Sequence, residues 1–232
     1  MGHPTLLLLH GLGATAAVWD GVVERWPGEA VAVDLPGHGG AEPLRRYTFG
    51  ALAAGVEVDP TRRYVAVGHS LGGVLALTLA SGWFGLDVEG VVGVGIKIEW
   101  TDDDLAKAAA LAARPPRAFE TREEAESWAV KLAGLPGPDA NPRSVVQEGG
   151  RWRAAFDPRA FAVGAPDVVG LLRAARCPVV LAAGERDPMS PVDHLAALVD
   201  DPVTLPGLGH NAHVEDPDAV LALVDRLDLV RS

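Results

Sequence analysis

The chain has 232 residues, 48% hydrophobic and 22% charged. That length fits one α/β domain, or a domain with an insertion, and supports a core without disulfides or a structural metal. Lys and Arg number 20 against 31 Asp and Glu, a formal net charge of −11, which is the wrong sign for a nucleic-acid partner or an anionic membrane surface. Cys177 is the single cysteine, so neither a disulfide framework nor a CxxC zinc cluster is present, and no metal or other cofactor is expected. A cytoplasmic chain with no membrane contact is expected. The apolar run Leu6 to Leu9 is too short for a secretory signal, and no stretch nears the roughly 20 apolar residues of a membrane span.

In chain order, short apolar runs bounded by Gly, Pro and Asp predict strands at 5–9, 30–34, 64–68, 88–95, 179–183 and 203–205. Most are continuous rather than alternating, as in strands covered on both faces. Between them the pattern predicts helices at 16–26, 48–57, 71–80, 167–173, 191–199 and 217–227. This alternation predicts a doubly wound, mostly parallel sheet of about six strands.

The rhythm breaks between Val94 and Pro178. Thr101 is placed to cap a helix whose first turn holds Asp102, Asp103 and Asp104, suited to the positive end of the helix dipole. That helix runs through 105–113 and stops at Pro115-Pro116. Thr121 and Glu124 form a capping-box pattern that opens a second helix, through Trp128 to Gly134. The Pro- and Gly-rich stretch 135–142 reads as loop. The expected organisation is a core at 1–95 and 167–232, with a helical cap insertion at 96–166.

Gly68-His69-Ser70-Leu71-Gly72 carries the most chemistry. As a bare G-x-S-x-G pattern it is weak in so glycine-rich a chain. Its context is more specific: the apolar run Tyr64 to Val67 enters it and Val74 to Leu77 leaves it. A sharp strand–turn–helix presents a serine hydroxyl at a helix N-terminus. The bland alternative is a glycine-rich turn whose serine only caps the helix. Ser70 as nucleophile needs a base that is itself oriented by a carboxylate. Seven histidines compete. His210 follows the last predicted strand and is the choice, with His213 its near rival and more readily structural. His194 falls within a helix pattern, His3 is terminal, and His38 and His69 sit in glycine turns within reach of a pocket. For the carboxylate, Asp187 ends the strand at 179–183, with Glu185 and Asp193 as local competitors. Ser70, Asp187 and His210 then all lie at carboxyl ends of strands, where parallel sheets hold ligands. The oxyanion donors are expected to be the amides of Leu71 and of Leu12, in the turn His10-Gly11-Leu12-Gly13.

These residues resemble the α/β-hydrolase superfamily. His10-Gly11 is similar to its oxyanion turn, Asp34 to Gly39 to the loop after its next strand, Gly68 to Gly72 to its nucleophile elbow, Asp187 to its acid loop and Gly209-His210 to its histidine loop. The resemblance implies a cofactor-independent serine hydrolase working through an acyl-enzyme. The family usually carries two further strands before the His-Gly turn. Only nine residues precede His10, so a trimmed six-stranded sheet is expected, with 30–34 near an exposed edge and a monomer or homodimer as the assembly. Gly149 to Arg153 resembles a segment of small carboxylesterase and C–C-bond hydrolase relatives. The absence of an Asp at position 70 argues against dehalogenase and epoxide hydrolase chemistry.

Six of the eleven Trp and Phe residues fall in the insertion: Trp100, Phe119, Trp128, Trp152, Phe156 and Phe161. They serve either to dock a small cap or to line an apolar pocket. Gly11, His69, Trp100, Trp128 and Trp152 are the candidate substrate contacts, and Leu132 and Leu135 serve either purpose. Lys97 reads as a hinge salt bridge ahead of a substrate contact, and Cys177 as an inert core thiol. The expected substrate is a small, largely apolar carboxylic ester. A thioesterase, lactonase, C–C-bond hydrolase or perhydrolase would use the same triad. A receptor-like binding protein and a hydroxynitrile lyase are the non-hydrolytic alternatives.

Overall fold

The computed structural model describes residues 3–135, 142–227 and 229. The first half of the chain holds β1 (Thr5–Leu9), α1 (Asp20–Arg25), β2 (Ala30–Val33), α2 (Phe49–Ala54), β3 (Arg63–His69), α3 (Leu71–Ala80) and β4 (Asp87–Val94). Next come α4 (Asp102–Ala112), β5 (Ala118–Phe119), α5 (Arg122–Leu132), β6 (Val145–Glu148) and β7 (Arg151–Ala154). The last part holds α6 (Val168–Ala174), β8 (Val179–Gly184), α7 (Val192–Ala196), β9 (Val203–Leu205), α8 (Ala212–Glu215) and α9 (Pro217–Val224).

The main sheet has six parallel strands, as the strand pattern predicts, in the order β2-β1-β3-β4-β8-β9, with β2 at an edge, as the family resemblance implies. Its apolar runs are continuous because both faces are covered. Leu7 and Leu9 of β1 and Tyr64 and Ala66 of β3 join the core under α2, α3 and α6. Leu6, Leu8, Val65 and Val67 face the opposite core, with Trp19 and with Val22 of α1 and Val220, Leu223 and Val224 of α9. α3 is buried along its whole length, as expected for a helix that is apolar all round. β1 lies between β2 and β3, pairing Leu9 with Val33 on one side and with Gly68 on the other. The chain therefore switches sides at β1, and the loops after β1 and β3 open a crevice at the carboxyl edge.

Local departures have local causes. The helix expected over 16–26 divides into a 3-10 turn at Ala16–Trp19 followed by α1. The Asp34 carboxylate holds the first N–H of that turn, accepting from Ala16 N at 2.7 Å. The helix expected at 191–199 is only the five residues of α7.

Both capping boxes between β4 and α6 form: Thr101 with Asp104 opens α4, and Thr121 with Glu124 opens α5. The segment is not purely helical, which corrects that part of the expectation. β5, β7 and β6 make a three-stranded antiparallel sheet. Gly149 and Gly150, at φ 58° and 81°, are the two-residue turn between β6 and β7, a backbone that favours glycine at both positions. Of the loop expected at 135–142, residues 136–141 lie outside the described residues. Among the described residues, no helix is long and apolar enough to cross a membrane.

Candidate active site

Ser70 follows β3 directly and precedes α3. Its backbone sits at φ 51°, ψ −115°, the single non-glycine at positive φ among the described residues. Such a conformation costs about 1–3 kcal/mol and persists only where the surroundings impose it. Here Ser70 N–H donates to Val94 O at 2.8 Å. Glycine is required on either side, because a Cβ at Gly68 would overlap the Gly72 carbonyl and one at Gly72 would overlap the Leu9 carbonyl. The turn is thus squeezed between β1 and α3, which pushes the Ser70 side chain out at the helix N-terminus.

His210 and Asp187 meet this turn from the ends of β9 and β8. His210 Nδ1 donates to Asp187 Oδ2 at 2.8 Å, and the Asp187 side chain is wholly buried. The other oxygen, Oδ1, accepts from Met189 N at 2.8 Å and Ser190 N at 3.2 Å. Ser190 Oγ in turn donates to Ile96 O at 2.7 Å. The carboxylate is therefore held by the backbone of its own loop and aimed at the imidazole. Glu185, its sequence competitor, instead accepts from Gly207 N on the exposed side.

Ser70 and His210 line one cavity of about 240 Å³, together with Gly11, Leu12, His69, Leu71 and Trp100. Phe49, Val74, Lys97, Leu132, Phe161, Val163 and Met189 also wall it. Among the described residues, neither the Leu12 nor the Leu71 amide donates a hydrogen bond to the protein. Sequence reading misses Phe49, Val74, Val163 and Met189. Val74 is within reach of such reading, since it stands four residues after Ser70 and so on the same helix face.

The turn carrying Leu12 is organised by His10. Its Nε2 accepts from Leu35 N at 3.0 Å, which leaves Nδ1 to donate to Gly11 O at 2.8 Å. Burial holds His10 neutral and lowers its pKa to about 4. His69 also belongs to the site. Its Nε2 meets His210 O at 2.8 Å, joining the serine turn to the histidine loop. Burial, then the neighbouring His213 and His210, lower its pKa well below the usual imidazole value. His213 is a core residue, stacked between Trp19 and His69 at 4.4 Å from each, and burial lowers its pKa to about 3.

Several expectations need correction. Trp128 and Trp152 do not line the Ser70 cavity. Trp128 faces a separate cavity, and Trp152 pairs with Phe119 across β5 and β7, under the Arg122 guanidinium. Trp152 is turned away from the serine by its place in the small sheet, and Trp128 by the face of α5 that carries it. His38 does not reach that cavity either. It is buried between His10 and Phe156, where burial lowers its pKa to about 3. Lys97 does bind Asp104, at 2.9 Å, and lies over the Trp100 ring. Cys177 is only half buried, but burial still raises its pKa to about 11. Among the described residues, no group of three or more His, Cys, Asp or Glu is placed to hold a metal ion.

A serine at a strained strand–turn–helix, on the carboxyl edge of a parallel sheet, defines a hydrolase-type α/β protein. Residues 6–223 match the model of the alpha/beta hydrolase family, and the chain belongs to that family of enzymes. It is 28% identical over 249 aligned positions to the 2-succinyl-6-hydroxy-2,4-cyclohexadiene-1-carboxylate synthase of Klebsiella pneumoniae (strain 342), covering 97% of this chain and 94% of that one. The solved structure of E-2-(acetamidomethylene)succinate hydrolase superposes with a TM-score of 0.79 at 25% identity, covering 97% of this chain and 92% of that one. A shorter match joins 78 residues at 40% identity to the pimeloyl-[acyl-carrier protein] methyl ester esterase of Neisseria meningitidis serogroup B / serotype 15 (strain H44/76), over 32% of this chain. Curated relatives matched over such shorter stretches are covered for only 16% to 30% of their own length.

Proposed function

We propose that the chain is a serine hydrolase that cleaves a small, largely apolar carboxylic ester through Ser70, His210 and Asp187. The observation that carries this reading is the convergence on one cavity of the strained Ser70 and of His210, with the His210 imidazole bound through Nδ1 to a buried carboxylate. With Nδ1–H given to Asp187, Nε2 of His210 is the nitrogen left to take the Ser70 proton. Ser70 Oγ attacks the ester carbonyl, and the amides of Leu12 and Leu71 stabilise the tetrahedral oxyanion. Each such donor is worth about 2.7–4 kcal/mol. His210 then protonates the departing alcohol, and the same nitrogen activates water to release the acid from Ser70. Leu71, Val74, Leu132 and Phe161 form an apolar wall for the organic part of the substrate, and the segment between β4 and α6 serves as its cap.

A relative named as an ester esterase, matched over 32% of the chain, supports ester cleavage, and a structural neighbour named as a hydrolase supports hydrolysis. The relative matched over 97% of the chain is named a synthase, which favours, as a second reading, a reaction other than ester hydrolysis on the same residues. Replacing Ser70 by Ala tests the first reading with p-nitrophenyl acetate as substrate. Turnover is expected to vanish with the thermal midpoint unchanged. Hydrolysis at the parent rate would exclude Ser70 as nucleophile. A panel of esters, thioesters and lactones of graded acyl length then ranks the acyl substrates.

A further inference from the structure

Beside the Ser70 cavity lies a larger one of about 420 Å³, walled by residues of α4, α5 and β7 and of the Pro158–Val163 turn. Leu132, Phe161 and Lys131 line both spaces, so the two adjoin along these side chains. Leu111, Trp128, Leu132, Phe156 and Phe161 make much of the second cavity apolar. Among the described residues, Arg114, Arg117 and Lys131 are its charged residues and no carboxylate lines it.

That charge distribution is unusual for this chain, which has a net charge of −11. Elsewhere in the same segment cations are paired. Lys97 holds Asp104, Lys107 holds Asp103, Arg122 holds Glu126, Arg151 holds Glu120, Arg153 holds Glu148 and Arg159 holds Asp157. Arg114 and Lys131 have no ion pair among the described residues. The Arg117 guanidinium rests on aromatic faces, 4.9 Å from the Phe119 ring centre and 5.0 Å from that of Trp128. Among the described residues, three cations without a counter-ion thus line one apolar space next to the serine.

We propose that this second cavity binds the far end of the substrate, and that this end carries a carboxylate. The proposal deepens the ester-hydrolase reading and rests on it: the substrate is a monoester of a dicarboxylic acid. Its ester carbonyl lies at Ser70, its apolar chain runs past Leu132 and Phe161, and its free carboxylate meets Arg114, Arg117 and Lys131. A neutral acyl chain would use the apolar walls and leave the cations idle. A small inorganic anion would use the cations and leave the walls unfilled. An arginine fork matches a carboxylate in two parallel hydrogen bonds, and charge-assisted bonds of this kind are the stronger ones.

The test compares the 4-nitrophenyl hemiester of adipic acid with 4-nitrophenyl hexanoate, which has an acyl chain of equal length and no charge. The hemiester is expected to have a kcat/KM higher by about tenfold or more, the fold-change that one charge-assisted hydrogen bond supplies. The preference should shrink as salt screens the exposed cations. In the double variant Arg114→Gln/Lys131→Gln the ratio should fall towards one, mainly through KM, whereas Arg114→Lys, which keeps the charge but not the fork, should retain part of it. Calorimetric binding of the hemiester to the Ser70→Ala protein reads the second cavity without turnover. Equal kcat/KM for the two esters, unaltered in the double variant, overturns the carboxylate subsite and leaves the ester reading intact. No turnover of either ester, with hemiester binding to Ser70→Ala that weakens in the charge-removed background, overturns the ester reading and keeps the subsite. Neither turnover nor binding overturns both.

Discussion

The loops at the carboxyl edge of the main sheet and the segment between β4 and α6 face the same cavity but are built differently. The edge loops hold Ser70, Asp187, His210 and Leu12 on strand ends, each oriented by a hydrogen bond or by a glycine contact. The intervening segment contributes Trp100, Lys131, Leu132, Phe161 and Val163, which present apolar surface and charge to the cavity. Its ion pairs are mostly exposed, and exposed pairs contribute little stability. If Ser70 is the nucleophile of an ester hydrolase, the first region carries the chemistry and the second sorts substrates. Changes in the two should therefore fail in different ways.

The largest separation is expected at Asp187. Asp187→Asn should lower kcat by about 10⁴-fold, because His210 would lose the partner that fixes its tautomer, while the KM for a small ester moves little. Steady-state kinetics measure this, and a loss confined to KM would place Asp187 in binding instead.

Acid should then expose the difference through stability. His10, His38, His69 and His213 all lie in the core region, and burial lowers each pKa below the ordinary imidazole value of 6.5. Each group is held neutral in the folded state, so its contribution is complete above pH 6.5. Below that the unfolded chain binds protons first, and stability is lost as pH falls towards about 4 for His10 and about 3 for His38 and His213. The slope is about 1.4 kcal/mol per pH unit for each histidine taking part. Urea unfolding between pH 7 and 5, largely above the range where ordinary carboxylates titrate, should show the decline. A flat profile there would mean these imidazoles are not held neutral by the fold.

Smaller effects should distinguish residues within the segment. Leu132→Ala, in the cavity wall, should lower kcat/KM for a medium-chain ester by about tenfold, as loss of apolar contact with substrate predicts. Trp152→Ala, in the small sheet and away from Ser70, should leave kcat/KM within about twofold while lowering the thermal midpoint. Its loss is one of packing against Phe119 and Arg122, worth about 1–3 kcal/mol. If Trp152→Ala raised KM as strongly as Leu132→Ala, the placement of the two side chains would be wrong.

The same contrast explains what can be read from sequence. A strand, a glycine turn and a helix leave local signals, and parallel pairing then carries strand ends to one edge without further information. That is why residues as distant in sequence as Ser70 and His210 are legible as neighbours. In the segment between β4 and α6, helix starts are equally legible, since Thr101 and Thr121 carry their capping partners three residues on. The direction of each aromatic ring is not. Composition places Trp128 and Trp152 in the segment, but the packing of α5 and the pairing of β5 with β7 decide which way they face. The pair Gly149-Gly150 does carry a local hairpin signal, which a purely helical reading of the segment overlooks. His10 and His69 show another limit: their roles depend on hydrogen bonds to Leu35 and His210, far along the chain, which no spacing rule supplies.

The central claim is that Ser70 is the nucleophile and His210 its base. Labelling with a fluorophosphonate followed by peptide mass mapping tests it directly. A single phosphonyl adduct on Ser70, formed in the parent protein and lost in His210→Ala, is the predicted result. An adduct on another residue, or labelling of Ser70 at the same rate without His210, would contradict it.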